Sequence, residues 1–432
     1  MKPRVHKSWQ PNHLLLVGFA IIIFLGSVLL SLPFAHNEGI HLPYVDALFI
    51  STSAVCVTGL VTVDVAQTFT LFGRTVIALL IVLGGLGFAS IVISFSLLFR
   101  MNIGISQRSF IKEAYNLSSL KGTLMIVRSV VVAAILFQGI GTCIEYFIFR
   151  TSYGPLDALG HAVFNSISAF NNAGFDLMGK YRSLTEYRNN IAMNLTTALL
   201  IILGGSGFFV LADIARNRRW AKLAMHTRIV VLMNAILILF GMVFFVLSDH
   251  LDWLSAFFQS VSARTAGFNT VDIASLSQAS LMILMILMFI GASPGSTGGG
   301  IKTTTTFALF LSLGSLMFRR EPAAFKRKVG SESILKAFQV LLLSLLLVFV
   351  GSLLILTVEG DHFPFMAVLF ETVSAFATVG LSTGITPTLS LLSKLVLICI
   401  MFAGRVGPIT IATSLKAKPS SLTHVEEQVF IG

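Results

Sequence analysis

Charge is scarce in this chain. Only 30 Lys and Arg and 19 Asp and Glu occur among 432 residues, whereas 55% are hydrophobic and the mean hydropathy is +0.88. A soluble domain has no means of hiding that much apolar surface, so the composition excludes one and requires an integral membrane protein. Cysteine is also rare: Cys56, Cys143 and Cys399 lie in or beside apolar segments without CxxC spacing. That excludes a disulfide framework and a zinc site and leaves them as expected packing residues. The histidines are scattered from His6 to His424 with no HExxH or comparable pairing, so an enzyme has no catalytic constellation.

What the chain does have is repetition. Its 432 residues give room for eight spans of roughly 20 apolar residues each, plus shorter pieces. First helices are expected at about 13–32, 123–149, 227–248 and 334–358, and second helices at about 70–99, 190–215, 279–318 and 391–415. Between each pair sits an apolar run too short to cross: Val45 to Ala54, Leu156 to Ala169, Leu254 to Ala263 and Phe365 to Ala375. Such runs are re-entrant, because irregular backbone at membrane depth survives only against protein or a wet cavity. The stretch from His13 to Leu32 follows Lys2, Arg4 and Lys7 like a signal peptide. It is too long for one and lacks a clear cleavage site, so a retained span is expected. The division is thus 1–100, 101–218, 219–328 and 329–432, an all-α membrane protein of four helix, pore-helix, helix repeats arranged pseudo-fourfold around one central pore.

Each short run ends in Ser-Ala and, a few residues on, a glycine: Gly59, Gly174, Gly267 and Gly380. The interval is the same in three; the third, from Ser262 to Gly267, is one residue shorter. Glycine takes positive φ without a Cβ clash, so preceding carbonyls can turn toward a lumen where four backbones crowd. A dehydrated cation needs such a ring of oxygens. The expected ion-selectivity filter is therefore Val55, Cys56, Val57, Thr58 and Gly59; Asn171, Asn172, Ala173 and Gly174; Thr265, Ala266 and Gly267; and Ala377, Thr378, Val379 and Gly380, with the metal, a dehydrated cation, at their backbone carbonyls. A pore helix aimed C-terminus first at the axis adds partial negative charge.

The second helices repeat too. LGGLGF from Leu83, LGGSGF from Leu203 and FAGRVGP from Phe402 hold equivalent places, where small residues allow close helix packing within continuous helices. The third departs. Gly291, Ala292, Ser293, Pro294, Gly295, Ser296, Thr297, Gly298, Gly299 and Gly300 concentrate five glycines and a proline, which no helix tolerates. That helix is expected to break in mid-membrane and form a gate below the filter, with Lys302 at its end. A nucleotide P-loop is the competing pattern, but an extra Ile301 intervenes before Lys302 and no strand precedes. Arg405 lies inside the fourth second helix and is expected to face the lumen or a carboxylate. Arg264 and Glu371 are expected to brace the filter from behind, paired with each other or with neighbouring repeats.

Basic residues cluster at one membrane face: Lys2, Arg4 and Lys7; Arg100, Arg108, Lys112, Lys121 and Arg128; Arg216 to Arg228; Arg319 to Lys336; and Lys416 and Lys418. The positive-inside rule makes this face, with both termini, cytoplasmic. Acidic loops, among them Asp64, Asp176 and Asp272, form an outer vestibule. This topology and the anionic inner leaflet account for the net charge of +11, so the lipid membrane is the expected surface partner and nucleic acid is not.

The four filter glycines, SARTAGFNTVD from Ser262, GASPGSTGGGIKT from Gly291 and FAGRVGP resemble the Trk/Ktr/HKT superfamily of potassium transporters, most closely the bacterial Ktr-type membrane subunit. The resemblance covers nearly the whole chain. It implies a homodimer in the bacterial plasma membrane taking up potassium, often with sodium as activator. It also implies a separate cytoplasmic ring of nucleotide-binding regulatory subunits acting on the intramembrane loop, with no nucleotide bound by this chain. It makes the four glycines filter residues, the segment Gly291 to Lys302 the gate and Arg405 a lumen arginine. In this family a serine at the position of Gly59 accompanies sodium preference, so glycine there favours K⁺. A sodium or mixed sodium/potassium pathway is the alternative; a two-halved secondary transporter fits four segments poorly.

Overall fold

The computed structural model describes residues 11–87 and 123–414. Helix α1 (Pro11–Leu30) leads to a short buried helix, α2 (Tyr44–Cys56), and then to α3 (Leu71–Gly85). The same order returns as α4 (Thr123–Phe149), α5 (Pro155–Phe170) and α6 (Ile191–Gly205), followed by α7 (Phe208–Asn217). It returns again as α8 (Met225–Asp249), α9 (Trp253–Ser262), α10 (Gln278–Phe289) and α11 (Thr303–Met317). A small antiparallel hairpin, β1 (Ala323–Ala324) with β2 (Arg327–Lys328), precedes α12 (Ser331–Glu359), α13 (Phe365–Ala377), α14 (Leu391–Val406) and α15 (Pro408–Ser414).

Local chemistry sets these boundaries. Proline opens α2, α5 and α13 at or just before the first turn, and Asp252 caps α9 by accepting from Ser255 N–H at 3.0 Å. The helices that follow start alike: Thr70, Asn190, Ser277 and Ser390 each accept from the backbone N–H three residues on. Packing then links the groups in a cycle. Helix α3 lies against α5, α6 against α9, α10 against α13, and α14 returns to α2.

The glycine motifs do more than pack. A Cβ on Gly84, Gly204 or Gly404 would sit 1.8–1.9 Å from the carbonyl oxygen of Val55, Phe170 or Phe376 respectively, so glycine alone lets these helices touch the ends of α2, α5 and α13. In the second and fourth motifs the last glycine then breaks the helix. Gly207 (φ +90°) separates α6 from α7, which leaves at 98°, and Gly407 (φ +96°) separates α14 from α15. Gly87 has φ +78°. The expected continuous helices at 190–215 and 391–415 are therefore interrupted, because a left-handed residue ends the α-helical hydrogen-bond ladder. Among the described residues, Val130–Phe149, Met225–Asp249 and Ser331–His362 are long and apolar enough to cross a bilayer unbroken, and the bent α6–α7 pair makes a fourth if taken as one span. The expected continuation at 88–99, and Lys2, Arg4, Lys7, Arg100, Arg108, Lys112, Lys121, Lys416 and Lys418, lie outside the described residues. Of the cysteines only Cys56 is buried; Cys143 and Cys399 are exposed on apolar helices and do not pack inside.

One ion pair fastens α14 to α2. Lys394 Nζ lies 2.7 Å from Asp46 Oδ1, the two side chains 13% and 10% exposed. Lys394→Met leaves Asp46 desolvated without its counter-charge and should cost about 2 kcal/mol, less than a fully buried pair because some water reaches it. Thermal unfolding in detergent checks this, and Asp46→Asn added to Lys394→Met should recover most of the loss.

Candidate functional site

The four short helices end in the same backbone device. Val57, Asn172, Thr265 and Thr378, each two residues before its glycine, have φ of +58°, +57°, +76° and +51°. Gly59, Gly174, Gly267 and Gly380 have φ between +68° and +93°. Three of the four left-handed residues are β-branched, a conformation costing on the order of 1–2 kcal/mol and held only where the surroundings dictate it. In the first, second and fourth segments the N–H before the glycine donates to the serine carbonyl five residues back: Thr58 to Ser53 at 2.8 Å, Ala173 to Ser168 at 2.8 Å and Val379 to Ser374 at 2.9 Å. In the shorter third, Ala266 reaches Ser262 at 2.9 Å. Losing one residue there leaves the terminal conformation unchanged.

The glycines meet in cyclic order. A Cβ on Gly59 would lie 2.5 Å from the carbonyl oxygen of Ala173, one on Gly174 2.6 Å from Ala266, one on Gly267 2.1 Å from Val379, and one on Gly380 2.2 Å from Thr58. The carbonyl preceding each glycine thus fills the space that a side chain on another of the four would need, and the circuit closes. All four glycines line one cavity of about 400 Å³, together with Asp176, Tyr181, Ser183, Asn269, Asp272 and Ser382. Val55, Cys56, Asn171 and Ala377, at the helix ends behind this ring, are fully buried.

On the other side of the ring lies the glycine-rich segment. As its composition predicts, α10 stops at Phe289 and helix resumes only at Thr303; a helix and not a strand precedes it, unlike a P-loop. A Cβ on Gly298 would meet Thr265 Oγ1 at 2.1 Å, and one on Gly299 would meet Thr378 Oγ1 at 2.3 Å, so the segment presses against the left-handed threonines of the third and fourth segments. Its backbone is tied to the α6–α7 break: Ser293 N–H donates to Gly205 O at 3.0 Å, Thr297 N–H to Gly204 O at 3.3 Å, and Phe208 N–H to Gly295 O at 3.0 Å. Lys302 Nζ donates to Gly298 O at 2.7 Å and Gly299 O at 3.3 Å, folding back on the segment. Arg405 reaches across, its guanidinium donating to Thr297 O and to Gly84 O at the end of α3. Backbone carbonyls thus receive it.

The two other membrane charges do not pair with each other. Arg264, 6% exposed, donates to Asn234 Oδ1 on α8 and to Gly291 O at 3.4 Å, because α8 packs behind α9. Glu371 accepts from Ser382 Oγ (2.7 Å), Thr383 N–H (2.9 Å) and Thr386 Oγ1 (2.7 Å), holding the chain just past Gly380. Glu145 is a further buried charge that was not anticipated; it accepts from Asn165 Nδ2 at 3.0 Å, behind α5. The rule that singles out Arg405, a charge inside an apolar run, applies equally to Glu145.

Comparison with known proteins gives the family. The family model described as TrkH, cation transport protein, matches residues 18–423. The chain is 37% identical to the Ktr system potassium uptake protein B of Bacillus subtilis, over 98% of this chain and 97% of that one. It is 35% identical to the potassium/sodium uptake protein NtpJ of Enterococcus hirae, over 100% and 99%. The crystal structure of the potassium transporter TrkH from Vibrio parahaemolyticus superposes with a TM-score of 0.72 at 19% identity, covering 96% of this chain and 87% of the other. A family match across nearly the whole sequence, and relatives of this identity along their full length, leave one conclusion: the chain belongs to the TrkH family of cation transport proteins.

Proposed function

We propose that the protein takes up potassium through a pore bounded by four quarters, 1–100, 101–218, 219–328 and 329–432, arranged pseudo-fourfold. The observation carrying this reading is the closed circuit of Gly59, Gly174, Gly267 and Gly380, each against the carbonyl before another glycine. Positive φ two residues before each glycine and again at the glycine lets carbonyls of each segment turn toward a lumen, where they can supply an ion's coordination shell. The segment Gly291 to Lys302 is the gate, with Arg405 as its latch. The relatives' names, potassium uptake for one and potassium/sodium uptake for another, support potassium as cargo and keep a mixed pathway as the second reading. The proposal includes a homodimer in the bacterial membrane with cytoplasmic termini, sodium as activator, and a separate nucleotide-binding ring docking on the basic face.

The test is rubidium or potassium uptake in bacteria lacking their own potassium uptake systems, with sodium as competitor. Uptake no greater than that of an empty vector would reject the proposal; strong sodium competition would select the mixed pathway.

The vestibule adds a pH dependence. Burial pushes the Asp176 carboxyl up to about 6, opposed by the Met178 N–H it accepts from and aided by the charge of Asp64. The carboxylate is charged above that pH and neutral below it. Apparent affinity for K⁺ should therefore weaken about threefold as pH falls through 6, the worth of one partly screened charge near the mouth. Asp176→Asn should flatten the profile.

A further inference from the structure

Where α8, α11 and α12 converge beside the β1–β2 hairpin lies a cavity of about 460 Å³. It has two unlike walls. Ile229, Phe307, Ala337 and Val340, from three apolar helices, make part of its lining greasy, while the exposed Lys328 and Lys336 also line it. Each lysine is paired, Lys328 with Glu321 at 2.6 Å and Lys336 with Glu332 at 2.7 Å, but these side chains are 60–81% exposed. Pairs so open to water are worth little, and a phosphate can displace the carboxylates. The segment as a whole has charge to spare, with Arg319, Arg320, Lys326 and Arg327 beside the two lysines and only Glu321 and Glu332 opposing. Gly330, also lining the cavity, begins the 29-residue α12 without a side-chain cap, which leaves first-turn N–H groups for an anion. Phe325 of the hairpin lies 5.7 Å from the Arg228 guanidinium, which holds the hairpin against α8.

We propose that this cavity holds an anionic phospholipid of the inner leaflet, its phosphate at Lys328, Lys336 and the start of α12, one acyl chain along Phe307, Ile229 and Val340. A soluble anion has no use for the apolar wall, and a neutral lipid has none for the lysines. The consequence is local to the gate, because α11 starts at Thr303, directly after Lys302. An occupied cavity buttresses the helix that anchors the glycine-rich segment. The inference takes its membrane side from the orientation proposed above and does not depend on which ion passes.

The test uses the full-length protein in detergent, titrated with phosphatidylglycerol, phosphatidylcholine and inorganic phosphate, with retained lipid read by native mass spectrometry. Phosphatidylglycerol should be retained and phosphatidylcholine not. Lys328→Gln with Lys336→Gln, both at exposed positions, should weaken retention about thirtyfold. Ala337→Phe, which fills the apolar side and spares both lysines, should weaken it as well. Retention equal to wild type in both variants would overturn the proposal. So would displacement of the lipid by inorganic phosphate at equal concentration, which would mark a soluble-anion site. The readout is lipid retention, so a failure here is separable from a failure of the transport proposal.

Discussion

Gly267→Ala is expected to cut potassium uptake by about a hundredfold while the protein still reaches the membrane. Gly267 has φ +82°, and its Cβ would lie 2.1 Å from the Val379 oxygen and 3.1 Å from the Val379 carbonyl carbon. That neighbour is backbone, so no side chain can rotate aside. Left-handed alanine alone costs about 1–2 kcal/mol, and displacing a carbonyl from the proposed coordinating ring adds to it; 2.7 kcal/mol is about a hundredfold. Gly380→Ala, at φ +93° and 2.2 Å from the Thr58 oxygen, should behave alike. The measurement is rubidium uptake normalised to folded protein from gel filtration. Near wild-type uptake in either variant would mean that these carbonyls do not coordinate the ion.

Loosening the intramembrane segment should act in the opposite direction. Arg405→Ala removes the donors that reach Thr297 O and Gly84 O, fastening the segment to the end of α3. A charge-assisted hydrogen bond is worth about 1.5–3 kcal/mol, so the open population should rise roughly tenfold and flux with it. Deleting Gly298, Gly299 and Gly300 removes the atoms pressed on Thr265 and Thr378 and should raise flux at least as much. Uptake unchanged in both variants would remove the segment from the role of gate.

The four short helices were legible because punctuation residues mark them. Val45 to Ala54 became Tyr44–Cys56, and Leu156 to Ala169 became Pro155–Phe170. The break after Phe289 was legible for the same reason, since proline and clustered glycines forbid a helix. The breaks at Gly207 and Gly407 were not. One glycine serves close packing and another, three residues on, serves positive φ, and a letter code does not distinguish the two uses. The partners of Arg264 and Glu371 were hidden for a different reason. Burial says that a charge must be compensated, but an amide on α8 or hydroxyls past Gly380 do so as well as an opposite charge. Asp46 and Lys394 gave no local signal at all, because only the closed cycle of helices brings them together.

That last pair bears on how the chain is made. Asp46 and Lys394 are 348 positions apart, so a ribosome feeding the membrane delivers the acid long before its base. Until α14 is inserted, the first quarter carries a carboxylate with an unfilled neighbour, and the seam beside α2 stays unsealed. Nascent chains halted before α14 should accordingly be the preferred prey of membrane proteases, and release from the insertion machinery should coincide with the arrival of the final quarter.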